Sequence, residues 1–374
     1  IATVARATGE KDKRKQEQEA VTSLAAAVVV GILSAVVALL LLPYLVGFFE
    51  VADQPQASVL AKQYLMVNAF AIPFLLIELV CSAILRGAGD TRTPMYVALF
   101  ANVLNVIGDY VLIFGKFGFP ELGVVGAGVA TAISYFVEGV ILFFFLFSAG
   151  SAIRIRIRSF ALVSYESAKR LFNVAIYAAI EPLVAHAGFL LYVKIVTTLG
   201  EVSLAAHRTA MSIESIAYMP FGGFAIACST MIGQALGARR PQDAEFSFRE
   251  SARLITWLSL VPALLFLFIP QTLVWIFVPN EPEVIRLGGL CLAIVALELP
   301  FMALSQVYTG ALRGAGDTKS IFYVNSLGIW LIRVPLSYIL GIYFKMGLQG
   351  VWIMMIVDWA VRMFIFAIIY KRGK

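Results

Sequence analysis

The stretch Leu85-Arg-Gly-Ala-Gly-Asp-Thr91 returns, residue for residue, as Leu312-Arg-Gly-Ala-Gly-Asp-Thr318. The two copies stand 227 positions apart, and the likeness extends outward on both sides. Gly115 falls opposite Gly341, and Gly126 opposite Gly350. Upstream, Arg6-Ala-Thr-Gly9 falls opposite Gln234-Ala-Leu-Gly237. Self-similarity on this scale means that one structural unit has been used twice. The motif itself reads as a tight hairpin between helices. Arg-Gly-Ala-Gly closes one helix, because glycine accepts the left-handed turn at a helix C-terminus. Asp90-Thr91 and Asp317-Thr318 then cap the next helix, and Pro94 suits its first turn.

What lies between the copies is almost entirely apolar. Of 374 residues, 60% are hydrophobic and only 14% charged, whereas soluble domains carry about 25% charged residues. Runs such as Ala25–Leu42 and Leu254–Phe268 are nearly free of charge. About 20 apolar residues are needed for a helix to cross a bilayer. The expected fold is therefore an all-α polytopic membrane protein. Its ten transmembrane helices are expected near 20–49, 63–85, 94–114, 123–149, 171–199, 203–236, 254–278, 284–312, 320–341 and 347–369.

The net charge of +6 is explained by topology. Alternate connections collect twenty basic residues, among them Lys13, Arg86, Arg154, Arg156, Arg158, Arg239, Arg313 and Lys371. The opposite set holds only Lys62, Lys116, Arg286 and Lys345. Lys and Arg accumulate in cytoplasmic loops, so the C-terminus is expected inside, in a plasma (inner) membrane. No single basic surface forms, and nucleic acid is not an expected partner. Cys81, Cys228 and Cys291 lie within apolar helices without Cys-x-x-Cys spacing and read as packing residues.

The second copy has two helices before Gly237, while the first has eight residues before Gly9. About two further helices upstream are expected, giving a twelve-helix parent of two parallel six-helix lobes. Parallel repeats of this kind place a binding cavity near the midplane between them. The expected division is an N-terminal lobe remnant at 1–149, a basic interlobe linker at 150–164 and a C-terminal lobe at 165–374.

Charged groups inside membrane helices cost about 2.5–3.5 kcal/mol each on insertion scales, so each needs a reason. Asp109 sits well inside its helix, with Asn105 at i−4 and Asn102 at i−7 on the same face. A carboxylate with an amide carbonyl is a hard oxygen set suited to Na⁺, and a buried carboxyl can also carry H⁺. Thr131, on the next helix, could add an oxygen and begins a polar stripe with Ser134 and Glu138. Glu181 precedes Pro182, which loosens the helix beside it, and reads as a substrate- or proton-binding group. Glu214 shares a face with Met211 and Tyr218, an adaptable surface of the kind promiscuous binders use. Glu298 precedes Pro300, and Arg333 precedes Pro335. Arg333 is expected to pair with a carboxylate, Glu298 or Glu181 being the candidates. Asp358 and Arg362, at i and i+4, are expected to neutralise each other. Pro335 falls opposite Asp109 in the repeat, so the lobes are not chemically equivalent.

These residues fall in a recognisable order. Leu85 to Pro94, then Asn102-x-x-Asn105-x-x-x-Asp109-Tyr110-x-Leu-Ile-Phe-Gly115, resemble the fourth-to-fifth helix region of the MATE (multidrug and toxic compound extrusion) family. Gly123-x-x-Gly126-Ala-Gly-x-Ala-Thr131 resembles its sixth helix. Glu181, Leu204-Ala-Ala-His207, Ile213-Glu-Ser215 and Ile232-Gly-Gln-Ala-Leu-Gly-Ala238 resemble its seventh and eighth. The resemblance implies an antiporter that alternates between inward-open and outward-open states. It would export amphipathic, often cationic drugs or metabolites in exchange for Na⁺ or H⁺. It also implies a cation site at Asn105, Asp109 and Thr131, no cofactor beyond the coupling ion, and no enzymatic activity. The partners expected are small molecules and the lipid bilayer, and the two-lobe plan needs no second copy. A flippase for lipid-linked precursors would favour a strongly cationic cavity, whereas the intramembrane charges here are more acidic than basic. An intramembrane transferase would need an Asp-x-x-Asp cluster or a large soluble loop, and the sequence offers neither.

Overall fold

The computed structural model describes residues 1–48 and 55–373. Among the described residues all regular structure is helical, and ten helices are long and apolar enough to cross a membrane. The long helices are α2 (Lys13–Phe48), α3 (Pro55–Gly87), α4 (Arg92–Phe114), α5 (Val124–Phe147), α6 (Tyr165–Thr197), α7 (Glu201–Gly237), α8 (Pro241–Phe268), α10 (Pro282–Ala315) and α13 (Gly347–Arg372). The tenth crossing, Thr318–Tyr343, is composite. It joins α11 (Thr318–Leu327) and α12 (Val334–Tyr338) through π-helical turns at Gly328–Arg333 and Ile339–Tyr343. Two short helices, α1 (Ala2–Gly9) and α9 (Pro270–Phe277), complete the set.

One expected span is corrected. The crossing placed at 254–278 begins instead at Pro241 and ends at Phe268, and α9 is a separate element. Pro270 lacks the N–H that a continuing helix needs, so the chain breaks at Ile269 and restarts with proline in its first turn. Three further spans begin earlier than expected, the one placed at 63–85 starting at Pro55. The polar residues after Lys13 and after Tyr165 continue their helices beyond the apolar stretch.

The chain divides into two compact units, with the boundary between Leu171 and Phe172, inside α6. In the first unit α3 packs against both α2 and α5, and α5 against α4. Small residues let these helices approach closely. A Cβ on Gly31 would lie 2.9 Å from the Pro73 Cα, and one on Gly108 would lie 3.1 Å from the Ala130 Cβ. Apolar side chains gain little by packing together in lipid, so close backbone approach of this kind is what associates membrane helices. Segment 150–164 belongs to this unit. Ile153 and Ile155 are buried in its core beside Leu142 and Leu146. Ser164 Oγ accepts a hydrogen bond from Gln18, and Ser159 Oγ donates to Glu17, both on α2.

In the second unit α10 is the central helix, packed by α7, α8 and α13. Leu292, Val295, Leu299, Ala303 and Val307 run along it fully buried.

The repeat is visible in the backbone of each unit. α1 ends at Gly9 and α7 at Gly237. Lys11 and Arg239, 228 apart, both take φ of 57°. Their amides are bound alike, Lys11 N to Thr8 O and Arg239 N to Leu236 O. Within the repeated motif Gly89 (φ 95°) and Gly316 (φ 90°) make the same left-handed turn. Asp90 Oδ1 then accepts from the Arg92 and Thr93 amides, and Asp317 Oδ1 from Ser320 N. The shared motif thus builds the same hairpin twice.

Candidate functional site

In the first unit two of the residues expected around Asp109, Asn105 and Thr131, meet where α4 packs against α5. Gly108 and Ala130 approach closely there, and their chain neighbours are Asp109 and Thr131. Asn105 Nδ2 donates to Thr131 Oγ1 at 3.4 Å. Asp109 Oδ1 is buried and has no hydrogen-bond partner. A buried acceptor without a donor is costly, and a bound cation or proton would satisfy it. With the Asn105 carbonyl oxygen and the Thr131 hydroxyl it would make an all-oxygen donor set, the kind that Na⁺ takes.

Asn102 is not part of this group. It is exposed, and its amide bonds to Ala98 O of its own helix. Ser134 Oγ likewise donates to Ala130 O of its own helix. Glu138 instead lies within electrostatic range of the buried Glu78 and of Arg86. Asn68 on α3, not singled out from the sequence, lies against α5 one turn before Thr131. Its Nδ2 would be 3.4 Å from a Cβ on Gly128. An isolated asparagine in an apolar helix gave no spacing signal, and only the approach of α3 to Gly128 reveals it.

The second unit contains a cavity of about 470 Å³ whose walls include Met211, Glu214, Tyr218, Met302, Arg333 and Trp359. Glu214 and its neighbours Met211 and Tyr218 therefore do share one lining, as their spacing predicts. Arg333 enters from the end of the π-helical turn Gly328–Arg333, a distortion found frequently at functional sites. Its partner is neither Glu298 nor Glu181 but Asp358, with Nε 2.7 Å from Oδ2. Asp358 is fully buried and also holds Arg362 in a two-pronged pair of 2.6 and 2.7 Å. The expected neutralisation of Asp358 by Arg362 thus holds, but the carboxylate is shared between two guanidiniums.

Glu181 belongs to a second branch. Asn325 Nδ2 donates to its Oε1 at 2.6 Å, and Arg313 of the repeated motif reaches its Oε2 at 3.5 Å. Arg362 Nη1 in turn donates to Asn325 Oδ1 at 3.4 Å. One chain of polar contacts therefore runs from Arg313 through Glu181, Asn325, Arg362 and Asp358 to Arg333 at the cavity wall.

Glu298 stands apart from this chain. It is fully buried, and neither carboxylate oxygen has a hydrogen-bond partner. Glu214, Arg333, Asp358 and Arg362 all act on it electrostatically. Fully ionised, that cluster holds three carboxylates against two guanidiniums and is one positive charge short. Glu214 Oε2 and Arg333 Nη2 are also buried without partners.

The geometry has counterparts among known proteins. The MatE family model matches residues 1–111 and again 178–339, which is most of the chain and falls once in each unit. The chain belongs to the MatE family. A probable multidrug resistance protein NorM of Thermotoga maritima is 35% identical over 314 residues, covering 84% of this chain and 67% of that protein. A probable NorM of Photorhabdus laumondii is 29% identical over 346 residues, 90% of this chain and 75% of its own length. A crystal structure of a MATE in complex with MaL6 superposes with a TM-score of 0.92 at 24% identity. That match covers 99% of this chain and 82% of the other and reports the fold. For a MatE protein the expected two-lobe all-helical fold therefore holds. Within it, sequence spacing missed Asn68 and Asn325, because single asparagines carry no periodic signal. It left Arg333 without its partner, because Asp358 comes from a helix twenty-five residues away.

Proposed function

We propose that this MatE protein is a secondary active exporter that couples outward movement of amphipathic, often cationic compounds to entry of Na⁺ or H⁺. The observation that carries the reading is Asp109, whose buried Oδ1 lacks a partner beside the Asn105–Thr131 contact. Such a carboxylate is left unsatisfied in the free state and satisfied when a cation or proton arrives, which is what coupling requires. Binding can shift a conformational equilibrium only through a difference in affinity between the two states. Alternating access follows if the α4–α5 crossing closes around the ion in one state and not in the other.

The second unit supports a division of labour. The Met- and aromatic-lined cavity with Glu214 at its wall is chemically suited to bulky, apolar cations. Glu298, in a cluster short by one positive charge, is suited to hold a proton or to answer a cationic substrate. Glu181 and Arg333 are then positioning residues, fixed by Asn325 and Asp358. The names of the NorM relatives support multidrug compounds as the substrate class. The distribution of Lys and Arg supports a plasma-membrane orientation with the C-terminus inside. We read the protein as monomeric, without an enzymatic activity and without a cofactor beyond the coupling ion.

The test is efflux of a fluorescent cationic dye from proteoliposomes under an imposed Na⁺ gradient and, separately, an H⁺ gradient. Wild type should move dye under one of them, and Asp109→Asn should insert normally and lose the gradient dependence. Full gradient-driven efflux by Asp109→Asn would remove the carboxylate from the coupling step.

A further inference from the structure

Between α5 and α6 the sequence Ser151-Ala-Ile-Arg-Ile-Arg-Ile-Arg158 alternates isoleucine with arginine. Side chains alternate faces along extended backbone, and Arg156 is extended, with φ −117° and ψ 154°. The structure separates the two faces as the pattern requires. Ile153 and Ile155 are 3% and 1% exposed and belong to the core of the first unit. Arg154, Arg156 and Arg158 are all exposed. The Ile155 amide is anchored to Leu146 O at 2.9 Å, and Arg156 N donates to Ser159 Oγ at 3.1 Å. The arginines are thus carried on a fixed strap.

Two features set this face apart from an ordinary solvated charge run. No Asp or Glu occurs between Gly139 and Tyr165, and none of the three arginines makes an ion pair among the described residues. By contrast Lys15 and Arg170, which line a neighbouring cavity of about 350 Å³, are already paired with Glu10 and Glu19. Secondly, the strap continues into exposed apolar side chains. Phe160, Val163 and Tyr165 are 37%, 40% and 80% exposed. The segment lies between Phe147 and Tyr165, the ends of two candidate membrane spans. Unpaired arginines followed by exposed aromatic residues at the end of a span match the chemistry of the lipid headgroup zone.

We infer that the strap 151–165 is a docking surface for the anionic lipid headgroups of the membrane. Arg154, Arg156 and Arg158 bind phosphate groups there, and Phe160 and Tyr165 enter the interface. The inference does not depend on the transport reading, since it needs only that α5 and α6 cross the membrane.

The experiment is hydrogen–deuterium exchange of the protein in nanodiscs of phosphatidylcholine alone and of phosphatidylcholine with phosphatidylglycerol. Peptides spanning 151–165 are compared with the uncharged-lipid discs, and the loop 116–122 serves as internal reference. Each basic residue at an anionic leaflet contributes roughly fivefold to association. The strap should therefore exchange at least about fivefold more slowly in the anionic discs at low salt. The difference should shrink at high salt as charges are screened, and vanish in R154Q/R156Q/R158Q. Equal exchange in both discs at low salt would overturn the inference. So would a difference that survives the triple substitution. The wild-type lipid comparison decides the matter even if the triple variant does not fold.

Discussion

Arg333 Nε and Asp358 Oδ2 lie 2.7 Å apart, joining the π-helical turn of the composite crossing Thr318–Tyr343 to the middle of α13. Because Arg362 grips the same carboxylate, Asp358 is, among the described residues, the anion shared by the buried Arg362 and the half-buried Arg333. Asp358→Asn should therefore destabilise the protein more than any loss of a surface pair. Removing one partner of a buried pair costs about 3–5 kcal/mol. A large drop in the midpoint of thermal unfolding in detergent is the expected result. The exposed pair Arg286–Glu283, at 2.9 Å, is the control, and its Glu283→Gln variant should be nearly silent.

Glu298 makes the opposite prediction. It has no hydrogen bond to lose, so Glu298→Gln leaves no guanidinium stranded, and the folded state should be kept. The charge imbalance of its cluster disappears, however. Binding of a cationic dye should weaken about tenfold or more, while thermal stability stays at or above that of wild type. A variant that binds dye as wild type does would remove Glu298 from substrate handling.

Much of this was legible in the sequence, and particular residues explain the limit. The LRGAGDT repeat already implied that Gly89 and Gly316 would turn alike, because an identical local sequence meets identical backbone demands. Asn105 and Asp109 could be paired by helical spacing, and Thr131 by its place on the next helix. The pairing of Arg333 with Asp358 was not legible. Helical periodicity relates residues within one helix, and nothing in it says which helices become neighbours. Spacing assigned Asp358 to Arg362 alone and left Glu298 and Glu181 as the candidates for Arg333, and only packing shows that the Asp358 carboxylate serves both guanidiniums. The break at Ile269 was marked only by the short stretch Pro270-Gln-Thr272, and the apolar residues on either side of it read as one span.

Thr131→Val keeps the shape of the side chain and removes the hydroxyl that faces Asn105. Under the proposed coupling role it deletes one oxygen from the cation set while leaving the Asp109 charge in place. The expected outcome is about a tenfold rise in the cation concentration needed for half-maximal efflux, with the maximal rate largely kept. An unchanged cation dependence would leave Thr131 with a packing role alone.

The two units make a paired prediction about packing. A Cβ on Gly314 of α10 would lie 2.5 Å from the carbonyl oxygen of Ser229 on α7. One on Gly87 of α3, the same motif position, would lie 3.1 Å from the carbonyl oxygen of Ile1. Ile1 and Ser229 are themselves 228 apart, so the repeat reproduces one glycine contact in both units. The backing differs. Gly314 packs against a full-length α7, whereas Gly87 packs against the eight-residue α1. Overpacking costs about 1–3 kcal/mol where neighbours cannot move, and a long helix fixed along its length moves less than a short one. Gly314→Val should therefore lower the thermal unfolding midpoint more than Gly87→Val does in the same chain. Equal losses would mean that α1 is held as firmly as the end of α7.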